Sequence, residues 1–203
     1  KLGRRMDLLR PYRIYELTPN EIKRRKKKFG NFNTINKKLI KSKSETNFET
    51  MSKNPELWYA YHGELDQWKK TWSFDPNENW IAKIEKIPKS RKIGDFGCGL
   101  GVIGHEFGAK RIKSFDLHSD DKEYITACNM KSVPLKDESL DIVIFNLSLM
   151  GKDWEDFLKE AKRVLSYSGF LWIADTIEHR KNGYLKKLNE VLDDLDFQIV
   201  RNE

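Results

Sequence analysis

An aspartate and three glycines at every second position form the stretch of this sequence with the clearest chemical potential. Asp95, Gly97, Gly99 and Gly101 follow a short apolar run that begins at Ile93. This order predicts a buried strand that ends in a sharp turn, where the absence of side chains lets a ligand approach the backbone. A helix that begins directly after the turn directs its free N–H groups toward that ligand. Turns of this kind bind nucleotide-like cofactors.

The position of Asp95 indicates which cofactor the turn binds. A dinucleotide-binding turn has the pattern Gly-x-Gly-x-x-Gly after an apolar residue, whereas Asp95 places a negative charge two residues before Gly97. That charge repels a pyrophosphate but accepts hydrogen bonds from an ammonium group. Asp116, 21 residues after Asp95 at the end of the next predicted strand, is suited to a ribose diol. We therefore predict S-adenosyl-L-methionine as cofactor, with S-adenosyl-L-homocysteine as product; a structural turn beside a solvated acid is the alternative.

Residues after the third and fourth predicted strands complete the predicted site, because open α/β sheets bind ligands at the carboxyl ends of their strands. Asn129 is predicted to hydrogen-bond the adenine amine of the cofactor. Met130 is predicted to pack on the adenine ring, with ordinary core packing as the alternative. The predicted cofactor-binding residues are Asp95, Phe96, Gly97, Cys98, Gly99, Gly101, Asp116, Leu117, Asn129, Met130, Asn146 and Leu147.

Strand and helix patterns alternate from residue 92 onward, which predicts a Rossmann-like α/β fold with a mostly parallel sheet and helices on both faces. Only residues 117–123 separate the second and third strands, so a turn must replace the crossover helix there. The sequence ends three residues after the sixth strand, and we expect the last strand of the fold to be missing. The predicted strands are Ile93–Phe96, Arg111–Leu117, Tyr124–Cys128, Leu140–Leu147, Phe170–Ala174 and Phe197–Val200.

Residues 1–50 are predicted to form a basic arm and linker. They carry 15 basic and 5 acidic side chains, whereas residues 51–203 carry 23 and 26, so the net charge of +7 belongs to the arm. The dense basic block at residues 23–28 follows a helix start at Thr18, and Lys41–Asn47 is predicted as linker. The arm is either a nucleic-acid contact, in which Phe29 and Phe32 stack on bases, or a solvated extension.

Residues 51–90 are predicted to form a helical, aromatic-rich lead-in or lid, and residues 91–203 the cofactor-binding domain. One helix is predicted from Pro76 to about Ile87. Most aromatic residues of the lead-in are predicted to pack in a core. Tyr61 and His62 form a polar pair among them, which can face the ligand instead.

The composition excludes several classes of protein. Apolar residues make up 38% of the chain, and no run approaches the roughly 20 needed for a membrane span or resembles a signal peptide. Cys98 and Cys128 give no disulfide framework and are predicted to pack as small apolar side chains in a reducing, intracellular compartment. No metal site is predicted.

Further motifs extend the pattern on both sides of the glycine turn. They are Phe115-Asp116-Leu117, Cys128-Asn129-Met130, the run from Val133 to Gly151 with its Leu-Ser-Leu-Met-Gly end, Asp156–Leu165 and, upstream, Tyr61-His62 and Trp72. Over residues 55–201 the chain therefore resembles the nucleomethylin family, the ribosomal-RNA-processing methyltransferases. Asn129 stands where that family usually has Asp, and Tyr167-Ser168-Gly169 replaces its usual Pro-Gly turn.

The resemblance implies a Rossmann-like methyltransferase that transfers a methyl group from S-adenosylmethionine to N1 of an adenine in large-subunit ribosomal RNA. Because the N1 lone pair is available without deprotonation, such a site needs shaping and stacking groups more than a general base. The predicted catalytic residues are Asn146, Ser148, Tyr61 and His62. RNA is the predicted partner, with residues 23–28 as a further contact. The predicted compartment is the cytoplasm in a prokaryote and the nucleolus or nucleus in a eukaryote.

Two other functions stay open at this point. The domain can hold S-adenosylmethionine or its product as a sensor within a scaffolding protein. It can also be the methyltransferase domain of a larger, helicase-like protein that processes nucleic acid, because the chain begins at Lys1 rather than Met and starts with a basic arm.

Overall fold

A five-stranded parallel sheet forms the centre of the molecule. The computed structural model describes residues 18–176 and 183–200. Its strands are β1 (Ile93–Phe96), β2 (Ile112–Asp116), β3 (Ile125–Ala127), β4 (Leu140–Asn146) and β5 (Leu165–Ala174). They lie in the order β3-β2-β1-β4-β5, and every neighbouring pair is parallel. The predicted Rossmann-like α/β fold is therefore confirmed.

Helices cover both faces of the sheet. They are α1 (Pro19–Phe29), α2 (Phe32–Lys41), α3 (Ser44–Lys53), α4 (Pro55–Lys69), α5 (Pro76–Ile84), α6 (Val102–Phe107), α7 (Trp154–Val164) and α8 (Tyr184–Asp194). None of those described has the length and apolar character required to cross a membrane.

The side chains of the central strands alternate between two cores, as the pleat of a strand requires. On one face, Phe96 of β1 and Phe145 of β4 pack with the inner sides of α7 and α8. On the other face, Ile93 of β1 and Ile144 of β4 pack with α5 and α6. Burial on both faces holds the carboxyl ends of β1 and β4 side by side, which is where the predicted site begins.

The three N-terminal helices α1–α3 lie mostly within the segment predicted as a basic arm, and they pack on α4 of the predicted lead-in. Ile35, Leu39 and Met51 are buried against Trp58 and Tyr61 of α4 in a third apolar cluster. Phe29 and Phe32 pack against the same cluster, so they do not provide the exposed stacking surface that the sequence had suggested.

The segment Lys41–Asn47 is not the predicted linker, because helix α3 begins within it at Ser44. The backbone N–H and the hydroxyl of Ser44 donate to the Asp153 carboxylate at 2.8 and 2.5 Å. Lys152 N–H also donates to the carbonyl of Ser42 at 2.9 Å. These bonds attach the start of α3 to the loop between β4 and α7. The sequence pattern missed them because the capping carboxylate is distant along the chain.

Three other elements differ from the prediction by more than one residue. Helix α5 ends at Ile84 rather than about Ile87, and β5 begins at Leu165, with an irregularity in its pairing to β4 where the sequence had suggested a turn. The predicted sixth strand Phe197–Val200 is wrong: within the described residues it pairs with no strand, and Phe197 N–H donates to the carbonyl of Leu192 at the end of α8. Residues 1–17 of the predicted arm lie outside the described residues.

The link between β2 and β3 is a turn, as the short spacing predicted. Residues 117–124 contain no helix in the structure. His105 of α6 lies 2.8 Å from the carboxylate of Asp121 and stacks on the Tyr124 ring at 3.9 Å between centroids. These contacts hold the turn against α6 and leave the carboxyl end of β2 open to the site.

Candidate active site

A cavity of about 640 Å³ opens at the carboxyl ends of β1, β2 and β4. The turn after β1 and the residues after β2 and β4 line one side, and α4 with the α4–α5 loop lines the other. Parallel sheets of this type bind ligands at this position. Its lining includes the predicted residues Tyr61, His62, Asp95, Gly97, Cys98, Gly99, Asp116, Leu117, Met130, Asn146, Leu147 and Ser148.

The glycines after β1 are needed because other backbone groups and side chains approach them closely. Gly97 has a φ of +76°, and a Cβ at this position would lie 2.3 Å from Cβ of Ser148. Gly99 has a φ of +57°, and its Cβ would lie 3.0 Å from Cε1 of His62. The turn therefore fits beneath the β4 loop and α4 only without side chains, which leaves its backbone exposed to the cavity.

Asp95 presents an unused acceptor to this cavity. Its side chain is 2% exposed, and its Oδ1 is buried without a hydrogen-bond partner among the described residues. Burial and the neighbouring Asp116 raise the pKa of Asp95 to about 7, and the charge of Lys69 opposes that rise. A buried carboxylate with a free oxygen is costly unless a donor pairs with it, so a cationic ligand group is the expected occupant.

Asp116 is held by three donors at the end of β2. Oδ1 accepts from Trp58 Nε1 and Leu117 N–H, and Oδ2 accepts from Gly99 N–H, each at 2.7 Å. Burial raises the pKa of Asp116 to about 6, and these three hydrogen bonds lower it. Oδ2 keeps a second acceptor site, since a carboxylate oxygen accepts two bonds. The carboxylate thus orders the glycine turn and can still receive a hydroxyl group.

Tyr61 and His62 of α4 both line the cavity. The Tyr61 hydroxyl donates to Asn36 Oδ1 at 3.2 Å, and the Tyr61 ring stacks on Phe32. Burial, and secondarily the charge of Lys69, lowers the pKa of His62 to about 3, so its imidazole is neutral at pH 7. His62 therefore offers the cavity a neutral ring.

Asn146 is the last residue of β4 and Ser148 lies in the loop that follows, and the two side chains form different hydrogen bonds. Asn146 Nδ2 donates to Oδ1 of Asn77 on α5 at 2.8 Å, and Asn146 Oδ1 is buried without a partner among the described residues. The Ser148 hydroxyl donates to the carbonyl of Phe96 at 2.5 Å. Ser148 thus joins the β4 loop to β1, whereas Asn146 has an acceptor free for a ligand.

Three predicted cofactor-binding residues are absent from the lining of this cavity. Phe96 is buried between the Phe115 and Phe145 rings, because it points to the α7 side of the sheet. Gly101 lies at the start of α6, where the close approach of Ile125 leaves no space for a side chain. Asn129 donates to the Ser44 hydroxyl at 3.0 Å, because helix α3 occupies the space beside it.

Lys69 and Asn77 are among the cavity-lining residues that were not predicted from the sequence. Lys69 lies seven residues after His62, and two turns of α4 place both on one helix face. That spacing was a signal that could have found it. Asn77 had no comparable signal, since its contact with Asn146 joins α5 to β4 across the fold.

A model of a family described as hypothetical methyltransferases matches residues 18–203. The chain belongs to this methyltransferase family. The match includes α1–α3, whereas the resemblance visible in the sequence began at residue 55.

Curated relatives confirm the predicted likeness to ribosomal-RNA-processing methyltransferases. The 25S rRNA (adenine(645)-N(1))-methyltransferase of Schizosaccharomyces pombe is 34% identical, over 72% of this chain and 49% of the relative. The ribosomal RNA-processing protein 8 of Dictyostelium discoideum is 35% identical, over 82% of this chain and 42% of the relative. The chain therefore spans less than half the length of these two relatives.

A solved structure supports the fold independently of sequence. The TehB-like SAM-dependent methyltransferase of Corynebacterium glutamicum has a TM-score of 0.55 and 17% identity, over 70% of this chain and 84% of that protein. At this identity the likeness concerns the arrangement of the sheet and its helices alone.

The residues of this cavity fit S-adenosylmethionine, the cofactor that membership of the methyltransferase family implies. The free Oδ1 of Asp95 suits the ammonium of the methionine portion, and the second acceptor site of Asp116 Oδ2 suits a ribose hydroxyl. The glycine turn leaves backbone beside the cavity where a side chain would otherwise lie. When bound, the cofactor supplies an electrophilic methyl group on a sulfonium centre.

Proposed function

We propose that this methyltransferase transfers the methyl group to N1 of an adenine in large-subunit ribosomal RNA, and that residues 91–203 form its cofactor-binding domain. The observation that carries methyl transfer is the buried Oδ1 of Asp95 beside the glycine turn, which has no hydrogen-bond partner among residues 18–176 and 183–200. The acceptor is supported by the Schizosaccharomyces pombe relative, whose name specifies adenine N1 of 25S rRNA.

The protonation states in the cavity suit an acceptor that needs no base. The adenine N1 lone pair attacks without losing a proton, so a group poised to remove one is unnecessary. His62 is neutral but has a pKa of about 3, which makes it a weak base, and the Ser148 hydroxyl already donates to Phe96. In this proposal Tyr61 and His62 form the wall for the base, and Ser148 fixes the loop after β4.

Asn146 is the residue that we assign to recognition of the acceptor base. Asn77 binds the Nδ2 group of Asn146, and Oδ1 is the atom of the amide that is buried without a partner among the described residues. A carbonyl oxygen accepts a hydrogen bond from the exocyclic amine of adenine, whereas guanine presents a carbonyl at the same position and is rejected. Asn77 then acts as a positioning residue for Asn146.

Methyl transfer to RNA tests this proposal. With labelled S-adenosylmethionine and transcribed large-subunit ribosomal RNA, the wild type is expected to label one adenine, located by arrest of reverse transcription. Asn146→Ala is expected to lower kcat/KM about 30-fold, since loss of a buried hydrogen-bond acceptor costs about 2 kcal/mol. In a synthetic RNA with purine riboside at the acceptor position, wild type and Asn146→Ala should be equally slow.

The matched control is Asn79→Ala, because Asn79 is exposed on the same helix as Asn77 and should keep full activity. Absence of transfer to any RNA, despite binding of S-adenosylhomocysteine, would exclude the enzymatic function and leave a sensor of the cofactor. Equal loss by Asn146→Ala on adenine and purine riboside would exclude recognition of the amine.

The basic block of α1 is proposed as a second RNA contact. Part of its charge is used inside the protein, since Arg24 and Lys28 pair with Glu56, and Lys26 with Glu64. These ion pairs attach α1 to α4, which lines the cavity. Lys23 and Lys27 are exposed on α1, and the exposed Trp68 ring lies beside a groove that Lys26 also lines. Phosphate contacts by lysines next to an aromatic platform suit a single-stranded RNA segment.

Replacing Lys23 and Lys27 together with Gln is expected to weaken RNA binding about tenfold. Each lost phosphate contact reduces the slope of log K against log salt by about 0.7, so the pair should reduce it by about 1.4. Filter binding between 50 and 300 mM salt measures both quantities. The matched control is Lys89→Gln with Lys110→Gln. These exposed lysines precede β1 and β2, at the amino ends of the strands and so on the side of the sheet opposite the cavity. Equal effects of the two pairs would contradict a contact at α1.

The proposed substrate also indicates a compartment. Ribosomal RNA is processed in the nucleolus of a eukaryotic cell, and the relative from Dictyostelium discoideum carries the name of a ribosomal RNA-processing protein. We therefore propose a nucleolar or nuclear location if the source is eukaryotic.

A further inference from the structure

The side chains that line the cavity carry more negative than positive charges. Its carboxylates outnumber its ammonium groups, and His62 is neutral at pH 7. S-adenosylmethionine carries two positive groups, the sulfonium and the ammonium, which suit such a lining. It also carries one carboxylate, which an acidic cavity repels unless a cation is placed for it. The acidic residues of the lining are Asp66, Asp75, Glu78, Asp95 and Asp116, and the basic ones are Lys69 and Lys70.

Lys69 and Lys70 are adjacent in sequence but differ in their surroundings. Lys70 has 62% of its side chain exposed and lies 3.8 Å from the carboxylate of Asp66. Lys69 is half-buried at the end of α4, and among residues 18–176 and 183–200 its ammonium makes no ion pair or hydrogen bond. Burial lowers the pKa of Lys69, whereas the carboxylates of Asp75, Asp66 and Asp95 raise it. Lys69 is therefore a cation at the cavity without a partner of its own.

We propose that Lys69 binds the carboxylate of the methionine portion of S-adenosylmethionine, while Asp95 binds its ammonium. The two charges of the amino-acid group then meet two side chains of opposite sign that line the same cavity and influence each other electrostatically. Each of these protein groups lacks a hydrogen-bond partner for the atom concerned among the described residues, so the ligand satisfies both at once.

This assignment gives the lead-in a part in cofactor binding. Asp95 belongs to β1 of the sheet, whereas Lys69 is the last residue of α4, which also carries Trp58 and His62. A ligand that binds both residues connects α4 to the sheet and thereby stabilises the wall of the cavity that faces the acceptor.

Calorimetric titration of three ligands tests the proposal without RNA. S-adenosylhomocysteine has the carboxylate and the ammonium, S-adenosyl-3-thiopropylamine lacks only the carboxylate, and 5′-deoxy-5′-methylthioadenosine lacks both. Lys69→Met is expected to weaken S-adenosylhomocysteine binding about 30-fold, as for other charge-assisted hydrogen bonds, and to change binding of the other two ligands less than twofold. Lys70→Met, the matched control, should change none of them more than twofold.

Wild-type protein should accordingly prefer S-adenosylhomocysteine over S-adenosyl-3-thiopropylamine by about 30-fold. Lys69→Gln gives a second neutral variant if Lys69→Met does not fold, and Lys69→Arg should retain most of the affinity. Equal loss for all three ligands would overturn the proposal in favour of a structural role. Unchanged binding of all three ligands would also overturn it. Because no RNA enters the titration, its outcome is independent of the proposed acceptor.

Discussion

Asp95→Asn is expected to weaken binding of S-adenosylhomocysteine about 100-fold and, at pH 8, to stabilise the ligand-free protein. The side chain is buried with an unpaired oxygen, so in the absence of ligand its charge is a cost to folding. With ligand bound, the same charge receives the ammonium group, and a charge-assisted hydrogen bond of about 3 kcal/mol is lost in the variant. Calorimetric titration and thermal unfolding measure the two effects.

The direction of the pH dependence follows from the pKa of Asp95. Its value of about 7 in the folded protein lies above the ordinary value of 3.8, so the folded state holds a proton that the unfolded state has released. The wild type therefore loses stability as pH rises from about 4 to 7, and the cost is absent below pH 4. Asp116 of β2 and Lys69 of α4 act on the same carboxyl group from the neighbouring elements. Asp95→Asn should raise the melting temperature by about 5 °C at pH 8 and hardly at all at pH 4.

The affinity for the ligand should increase as pH rises, whereas the stability of the ligand-free protein decreases. The wild type must ionise Asp95 to bind the ammonium well, so its affinity should increase between pH 6 and 8, whereas Asp95→Asn should lack this increase. Asp66→Asn is the matched control, because its carboxylate lines the same cavity but has 57% of its side chain exposed. A normal affinity of Asp95→Asn for S-adenosylhomocysteine would contradict the assignment of Asp95 to the ammonium group.

The parts of the site that the sequence predicted are those in which local sequence determines local structure. The order Asp95, Gly97, Gly99 after an apolar run determines a strand and a turn without help from the rest of the chain. Asp116 was found for the same reason, since the end of β2 could be counted from the next apolar run. Both belong to the cavity in the structure.

The parts that the sequence did not predict depend on packing between distant elements. Asn129 was expected at the cofactor, but α3 begins at Ser44 and binds its amide, and that helix start is capped by Asp153 from another loop. Asn77 reaches Asn146 only because α5 packs on the sheet. A local pattern contains no information on such contacts, and so one wrong linker prediction also misplaced a site residue.

Gly97→Ala is expected to abolish measurable cofactor binding and to lower the free energy of unfolding by about 3–4 kcal/mol. Two separate costs contribute to this value. A non-glycine residue at a φ of +76° is strained, at about 1–3 kcal/mol, and the new Cβ would lie 2.3 Å from Cβ of Ser148. Relief of that overlap requires Ser148 to move, which breaks the bond from its hydroxyl to the Phe96 carbonyl. Urea denaturation and calorimetric titration measure the two losses.

Gly108→Ala separates the two costs, because Gly108 has a similar φ of +87° but no atom of the described residues lies within 4 Å of the position its Cβ would take. This variant should lose only about 1–2 kcal/mol of stability, from backbone strain, and should bind the cofactor normally. Adding Ser148→Gly to Gly97→Ala removes the atom that overlaps, and part of the lost stability should return. If Gly97→Ala and Gly108→Ala were equally stable and both bound the cofactor, close approach of the β4 loop would not be the reason for a glycine at residue 97. The backbone conformation alone would then be the reason for a glycine in the turn.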